Sequence, residues 1–378
     1  MSVDRIRIGV LFSQSGPMRV TESAHLEGIV LACAEINEGG GIDGMPIEPV
    51  LLDPAGDDAR YASMAVELMV EHQVRALFGC CLSSSRKRVV PQIERFDGVL
   101  FYPSVYEGFE YSPNVIYGGA APNQMVLPLL EHLCAGYGAR FALVGSDTLY
   151  AREVNRIVAE FLAESGGEVV HHAYLGFDAG EGAYRAAAVR AIDRGPDVVL
   201  STTVGDESLR FCRRYADVDP GSAPPIASLT VSESELRALP DGYRDGLITA
   251  AAYFASLPDE RNAEFVARYR ARYGKEAMPS VYAQTTYCQV HLFALAVRRS
   301  VDESSAVLME ALRGARLDAP GGSIEIDAET HHTTLRPLIG LSLDDGSFGI
   351  VESGARALRP DPYLVAYDRS IGPFASSA

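Results

Sequence analysis

The chain has 378 residues, 47% of them hydrophobic and 22% charged, with a formal net charge of −17. Its length exceeds the roughly 250–300 residues over which one core keeps growing, so two domains are expected. The acidic balance argues against direct nucleic-acid binding, which needs a basic face, and against an anionic membrane surface or a highly anionic ligand.

In chain order, residues 6–12 read as a strand closed by Ser13-Gln14-Ser15-Gly16. Leu26, Ile29, Val30, Cys33 and Ile36 then recur at helical spacing up to Gly39-Gly40-Gly41. That glycine run trails a helix and leads none, so it reads as a turn and not a dinucleotide fingerprint. A strand (47–52) and a helix (59–72) follow. Residues 74–104 spell strand, small polar loop, helix and strand, the βαβ unit. Apolar Val74, Ala76, Leu77 and Phe78 precede Gly79-Cys80-Cys81-Leu82 and Ser83-Ser84-Ser85. A helix with Val89, Val90 and Ile93 on one side leads to an apolar strand ending at Pro103-Ser104. Loops at such carboxyl ends bind ligands in open parallel sheets, and serines opening a helix present hydroxyls and unpaired N–H groups. A short strand, 115–117, ends this block.

From Pro122 the alternation starts afresh. A helix (126–133) leads to a strand (141–144) and a loop from Gly145 to Tyr150. Helix 154–162, strand 169–175, helix 186–192 and strand 198–202 follow, the last opening into Thr203-Val204-Gly205-Asp206. A further strand, 225–230, has its loop at Val231-Ser232-Glu233. After about residue 250 come helices at 259–273, 281–297 and 305–312. Strands at 323–326, 338–343 and 348–351 close the chain, with a turn at Asp344-Asp345-Gly346. The expected fold is α/β: two doubly wound parallel-sheet lobes joined by a multi-crossing hinge. The lobes are expected at 1–121 plus 252–330 and at 122–251 plus 331–378.

Hydroxyls and aromatics recur at the strand ends of both blocks: Ser13, Ser15, Ser83, Tyr102, Ser104, Ser146, Thr148, Thr202, Thr203 and Thr230. Lys, Arg and His are missing there. Such a cleft suits a small neutral hydrogen-bonding ligand better than phosphate or carboxylate, for which no bidentate arginine is in sight. Signatures of chemistry are absent: no G-x-S-x-G elbow and no P-loop. His171-His172 and His331-His332 would point to opposite strand faces, a poor chelate. Cys80 and Cys81 lack an identifiable base, and residues 53–58, holding Pro54 and Gly56, read as a solvated turn. No enzyme, metal or cofactor is expected. Cysteines 33, 80, 81, 134, 212 and 288 are scattered, as buried hydrophobes in a reduced compartment are. The first residues run into a strand without an apolar stretch of signal-peptide length, and nothing approaches a membrane span. The expected location is the cytoplasm.

The segment Tyr106-Glu107-Gly108-Phe109-Glu110-Tyr111-Ser112-Pro113-Asn114, continuing through Tyr117-Gly118-Gly119-Ala120-Ala121-Pro122-Asn123-Gln124, resembles the amide- and urea-binding branch of the type I periplasmic-binding-protein superfamily. Within that branch the chain is similar, from Ile8 to Tyr363, to cytoplasmic amide receptors that negatively regulate aliphatic amidase operons. The likeness passes through Phe12, Ser83 with Arg86-Lys87, Ser146-Asp147, Ser201-Thr202, Ala227-Ser228-Leu229-Thr230 and Arg359-Pro360-Asp361-Pro362-Tyr363. It implies a two-lobed clamshell closing on a small neutral amide or urea-like ligand. It also implies an RNA-binding antiterminator as partner, a homo-oligomer, and no contact with nucleic acid or membrane. By position, the implied pocket uses Ser83, Tyr102, Ser104, Val105, Val204 and Thr230, with Cys81, Thr148 and Tyr150 beside them. Ser83 and nearby backbone N–H groups would hold the carbonyl oxygen, while Thr230 and Ser104 or Tyr102 take the N–H donors. Val105 and Val204 would touch the alkyl part. Cys81 and Thr148 stand where that receptor has tyrosines, and Ser104 replaces a threonine. Losing two rings opens the apolar wall and points to a larger or more polar ligand than acetamide. The other reading is the soluble receptor of an ABC importer for urea or short amides.

Overall fold

A computed structural model describes residues 5–218, 221–300 and 304–366. The first four residues and those beyond 366 lie outside the described residues. The chain opens with β1 (Ile6–Leu11), α1 (Arg19–Glu38), β2 (Ile47–Leu52), α2 (Asp58–Val70), β3 (Ala76–Gly79), α3 (Ser83–Arg95), β4 (Val99–Tyr102) and β5 (Val115–Tyr117). These strands form one parallel sheet in the order β2-β1-β3-β4-β5. The order reverses between β1 and β3, which makes their carboxyl ends the crevice of a doubly wound sheet. Side chains alternate across it. Ile6, Ile8 and Val10 enter one layer, while Leu11, Leu77 and Leu100 meet Leu68 of α2 and Val89 and Ile93 of α3 in the other.

The second block holds α4 (Pro122–Gly136), β6 (Arg140–Ser146), α5 (Leu149–Glu164), β7 (Glu168–Leu175), α6 (Glu181–Asp193), β8 (Val198–Thr202), α7 (Asp206–Ala216), β9 (Ile226–Ser228), α8 (Glu233–Ala238) and β10 (Ile248–Ala251). The chain then returns through α9 (Glu260–Tyr273), α10 (Val281–Arg299) and α11 (Ser305–Leu312), which cover the first sheet. Here α10 lies so close to α1 that a Cβ on Gly28 would meet the Ala283 carbonyl oxygen at 2.0 Å. Only glycine fits this contact. Next, β11 (Arg316–Ala319), β12 (Gly322–Ile326) and β13 (Thr333–Thr334) form a small antiparallel sheet. A final hairpin, β14 (Leu338–Ser342) and β15 (Phe348–Ser353), extends the second sheet as β15-β14-β10-β9-β8-β6-β7.

Two differences from the sequence reading have physical causes. Residues 207–216, assigned no element from sequence, form α7 with Asp206 because Phe211, Cys212 and Tyr215 share its buried face behind an acidic first turn that suits the helix dipole. The strand at 323–326 pairs within the small sheet and not with the terminal hairpin, since its partner β11 is a half-exposed stretch without clean alternation. The chain crosses between the two sheets after β5, after β10 and before β14. Two of these crossings are tied together, because Thr333 Oγ1 donates to the Tyr117 carbonyl at 3.0 Å. Among the described residues no helix is long and apolar enough to cross a membrane.

Candidate functional site

Between the lobes lies a cavity of about 30 Å³, room for only a few heavy atoms given that one water needs roughly 10–15 Å³ by this measure. The ends of β1, β3 and β4 approach it from one side and those of β8 and β9 from the other. At its rim Asp206 donates its N–H to the Pro17 carbonyl at 2.8 Å. A Cβ on Gly205, whose φ is +56°, would meet that same oxygen at 2.2 Å. The lobes thus touch backbone to backbone. A smaller cavity of about 20 Å³, mostly apolar, lies next to the first and shares Val105, Thr230 and Tyr282 with it.

Of the residues selected from sequence, Cys81, Ser83, Ser104, Val105, Tyr150, Val204 and Thr230 line the cavity. Tyr102 and Thr148 do not. Tyr102 sits on the α2–α3 side of the first sheet, fully buried, and its hydroxyl donates to the Cys81 carbonyl at 2.8 Å. Thr148 caps α5, its Oγ1 accepting the Ala151 N–H at 3.3 Å, which serves an otherwise orphaned helix donor. Sequence reasoning missed Met18, Thr21, Leu82, Gly205 and Tyr282 as lining residues. Thr21 and Tyr282 open α1 and α10, and nothing in their local pattern marks them as facing a cleft.

The proton of almost every lining hydroxyl can be traced. Ser83 Oγ donates to Glu107 Oε2 at 2.5 Å, and Thr21 Oγ1 donates to Glu235 Oε1 at 2.7 Å. Thr230 Oγ1 donates to the Thr203 carbonyl at 2.5 Å, and Tyr282 Oη to the Thr230 carbonyl at 2.7 Å. Ser104 follows from His25, whose Nδ1 lies 3.0 Å from the Tyr282 carbonyl. A carbonyl only accepts, so Nδ1 carries the hydrogen. Burial lowers the pKa of this ring to about 3, which keeps it neutral. Its Nε2 is then an acceptor for Ser104 Oγ, 2.9 Å away. These five hydroxyls are left with lone pairs to offer the cavity. Among the described lining hydroxyls Tyr150 Oη alone is buried without a partner, which leaves its proton free for a ligand. The role of carbonyl donor expected for the Ser83 hydroxyl is therefore corrected. The backbone remains available, since α3 starts at Ser83 with no side-chain cap on its first-turn N–H groups.

No described lining residue is charged, yet charge lies one layer behind. Arg86 is fully buried, donating to Glu107 Oε1 at 2.9 Å and to Glu110 Oε1 at 2.8 Å. Its guanidinium stacks over the rings of Tyr102 and Tyr106, 4.7 and 5.0 Å from their centroids. The Tyr106 hydroxyl bonds His332 Nε2. The motif around Tyr106 thus acts as a scaffold behind Ser83. Burial pushes the Cys81 thiol well up, away from the reactive thiolate. Among the described residues no cluster of three His, Cys, Asp or Glu is placed to hold a metal ion.

The family model described as "periplasmic binding protein domain" matches residues 6–369. The "Leu/Ile/Val-binding protein homolog 7" of Brucella abortus is 23% identical over 93% of this chain and 92% of that protein. Homolog 6 of Brucella suis is 25% identical over 96% and 94%. In fold, the chain is similar to an R. palustris ABC-transporter solute binding protein in complex with benzoate, with TM-score 0.84 and 21% identity over 95% of this chain and 98% of that one. It is also similar to the branched-chain amino acid transporter substrate binding protein of Streptococcus pneumoniae in complex with isoleucine, with TM-score 0.81 and 20% identity over 94% and 100%. The match to a family of periplasmic proteins overturns the cytoplasmic location expected above. The cysteines misled because none of the six is paired and five are buried. Thiols shielded from solvent need no reducing compartment.

Proposed function

We propose a transport role for this chain, which belongs to the periplasmic binding protein domain family: it delivers a small neutral amide or urea-like solute to an ABC importer. The observation that carries the ligand class is the cavity's hydrogen-bond polarity, one free hydroxyl donor facing five hydroxyl oxygens whose protons are spent elsewhere. Urea and short amides are the complement, with a single carbonyl acceptor and several N–H donors. Tyr150 Oη and the first-turn N–H groups of α3 would take the carbonyl. Ser83, Ser104, Thr21, Thr230 and Tyr282 would accept the N–H groups, with Val105 and Val204 against any alkyl part. We place the two lobes at 1–121 with 252–330 and at 122–251 with 331–378.

Benzoate and isoleucine, named with the matched structures, both carry a carboxylate. Among its described lining residues this cavity has no cation to meet one. The antiterminator partner and homo-oligomer are implied by the amide-receptor resemblance alone, whereas the transport reading is supported by the binding proteins named above. A four-heavy-atom ligand at the ceiling of about −1.5 kcal/mol per atom reaches roughly −6 kcal/mol, or tens of micromolar. Calorimetric titration with urea, acetamide, benzoate and isoleucine tests the proposal. Urea or acetamide is expected to bind near that ceiling and the carboxylates far more weakly. Tighter binding of isoleucine or benzoate would retire it.

A further inference from the structure

We propose that three residues behind the cavity wall, Glu107, Glu235 and His25, fix the direction of its hydrogen bonds and so select the ligand. The inference rests on the cavity being the ligand site. None of the three lines it, and each is buried. Each takes the proton of one lining hydroxyl: Ser83, Thr21 and Ser104 respectively. A hydroxyl turned toward a ligand acceptor would leave its buried partner unmet, which is costly in a low-dielectric interior.

Further contacts keep each of the three an acceptor. Arg86 donates to the second oxygen of Glu107, holding that carboxylate in place. Glu235 Oε2 accepts from the Ser232 N–H at 3.1 Å, the Ser232 hydroxyl at 2.5 Å and the Ser234 hydroxyl at 2.9 Å. His25 spends its only N–H on the Tyr282 carbonyl. A hydroxyl alone is ambiguous, since it can give or take a hydrogen bond. Backed in this way it only takes.

The three act at different stages. Ser83 with Glu107, and Ser104 with His25, lie wholly within the first block, so their polarity exists before the lobes meet. Thr21 belongs to α1 and Glu235 to α8, on opposite lobes. Their bond forms on closure, so a ligand presenting an acceptor to Thr21 competes with Glu235 for the same proton. Closure then becomes a second reading of the ligand's N–H groups.

Two measurements test this. Neutron diffraction from deuterium-exchanged crystals of the unliganded protein shows where the hydroxyl deuterons point. The expected maps place them toward Glu107, His25 and, where the lobes are closed, Glu235. Deuterons directed into the cavity would overturn the proposal whatever the ligand. The second measurement compares acetamide with acetone, which is neutral and nearly isosteric but lacks N–H groups. Wild type should favour acetamide. In Glu107→Gln the new amide can donate to Ser83 and turn its proton inward, and the preference should shrink roughly tenfold. Glu235→Gln, away from the Arg86 cluster, provides the same readout if the first variant folds poorly. An unchanged preference in the folded variants sinks the proposal. Should wild type bind neither probe, the amide reading falls, while the neutron maps still decide the polarity.

Discussion

The two walls of the cavity hold their hydroxyls by different physics. On the first-lobe side Ser83 leans on a buried ionic cluster, Glu107 with Arg86 and Glu110, and Ser104 on a buried neutral histidine. On the second-lobe side small hydroxyls bond mainly to one another and to backbone. Ser201 pairs with Thr203 at 2.7 Å, Ser208 donates to the Thr203 carbonyl at 2.6 Å, and Thr230 donates to that same carbonyl. Two buried carboxylates also stand behind this wall, Glu207, shared by Ser146 and Tyr184, and Glu235, shared by Thr21, Ser232 and Ser234, but no described cation pairs with either as Arg86 does with Glu107. A desolvated charge that loses its partner has nowhere to turn, whereas a hydroxyl ladder can rotate and re-pair. The first wall should therefore fail all at once, and the second by degrees.

The sharpest way to break this contrast is Arg86→Met. It leaves the buried Glu107 carboxylate without a cation beside Tyr102 and Tyr106, while Glu110 keeps Lys87, and should cost about 3–5 kcal/mol of stability in denaturant titration. A cost below about 1 kcal/mol would mean that the first wall is not ionically anchored.

Acid offers the next largest effect. Burial lowers the pKa of His332 from 6.5 to about 4, so the folded state holds its neutral form. Such a group contributes stability that is present above pH 6.5 and is lost as pH falls toward 4. The loss is roughly 3 kcal/mol at pH 4 for a shift of this size. Glu233 on the second lobe runs the other way, because burial raises its carboxyl from 4.5 to about 8. Its share is present below pH 4.5 and is lost as pH rises to about 8. Comparing wild type with His332→Gln isolates the histidine: the stability difference between them should change by that amount between pH 7 and 4. A difference independent of pH would show that His332 is not held neutral by the fold.

Tyr150→Phe separates binding from stability. The Tyr150 hydroxyl has no partner to lose, so unfolding should be unchanged or slightly harder. The affinity for urea or acetamide should fall by about 1–3 kcal/mol. Equal affinity in the variant would move the carbonyl away from Tyr150.

The fold was largely legible because βα alternation and helical stripes are local signals. Ile8 and Val10 against Leu11, or Ile29 and Cys33 in α1, announce their layers through spacing alone. The site was half legible. Strand ends nominate Ser83, Ser104 and Thr230, but composition cannot tell which way a hydroxyl points. That direction depends on Glu107, Glu235 and His25, which lie 24, 214 and 79 residues from the hydroxyls they serve. Tyr102 shows the opposite error: a strand-end aromatic whose period-two position sends it into the α3 layer. The compartment was misread because the burial of the cysteines, legible from their apolar positions and present in the fold, is compatible with either compartment.

The smallest expected effect belongs to the second wall. Thr230→Val keeps the shape of the side chain and removes one donor to the Thr203 carbonyl. That carbonyl keeps Ser208 Oγ at 2.6 Å, and the Thr230 and Val231 N–H groups keep Ser228 Oγ, 3.2 Å from each. The Ser228 hydroxyl loses only its long 3.4 Å contact to Thr230 Oγ1, so the stability cost should stay near 0.5–1.5 kcal/mol, about that of one net hydrogen bond. The ligand loses an acceptor in the same variant, so affinity should fall more than stability does. A stability loss as large as that of Arg86→Met would erase the distinction, because it would mean that the hydroxyl ladder cannot re-pair and is as brittle as the buried ions across the cleft.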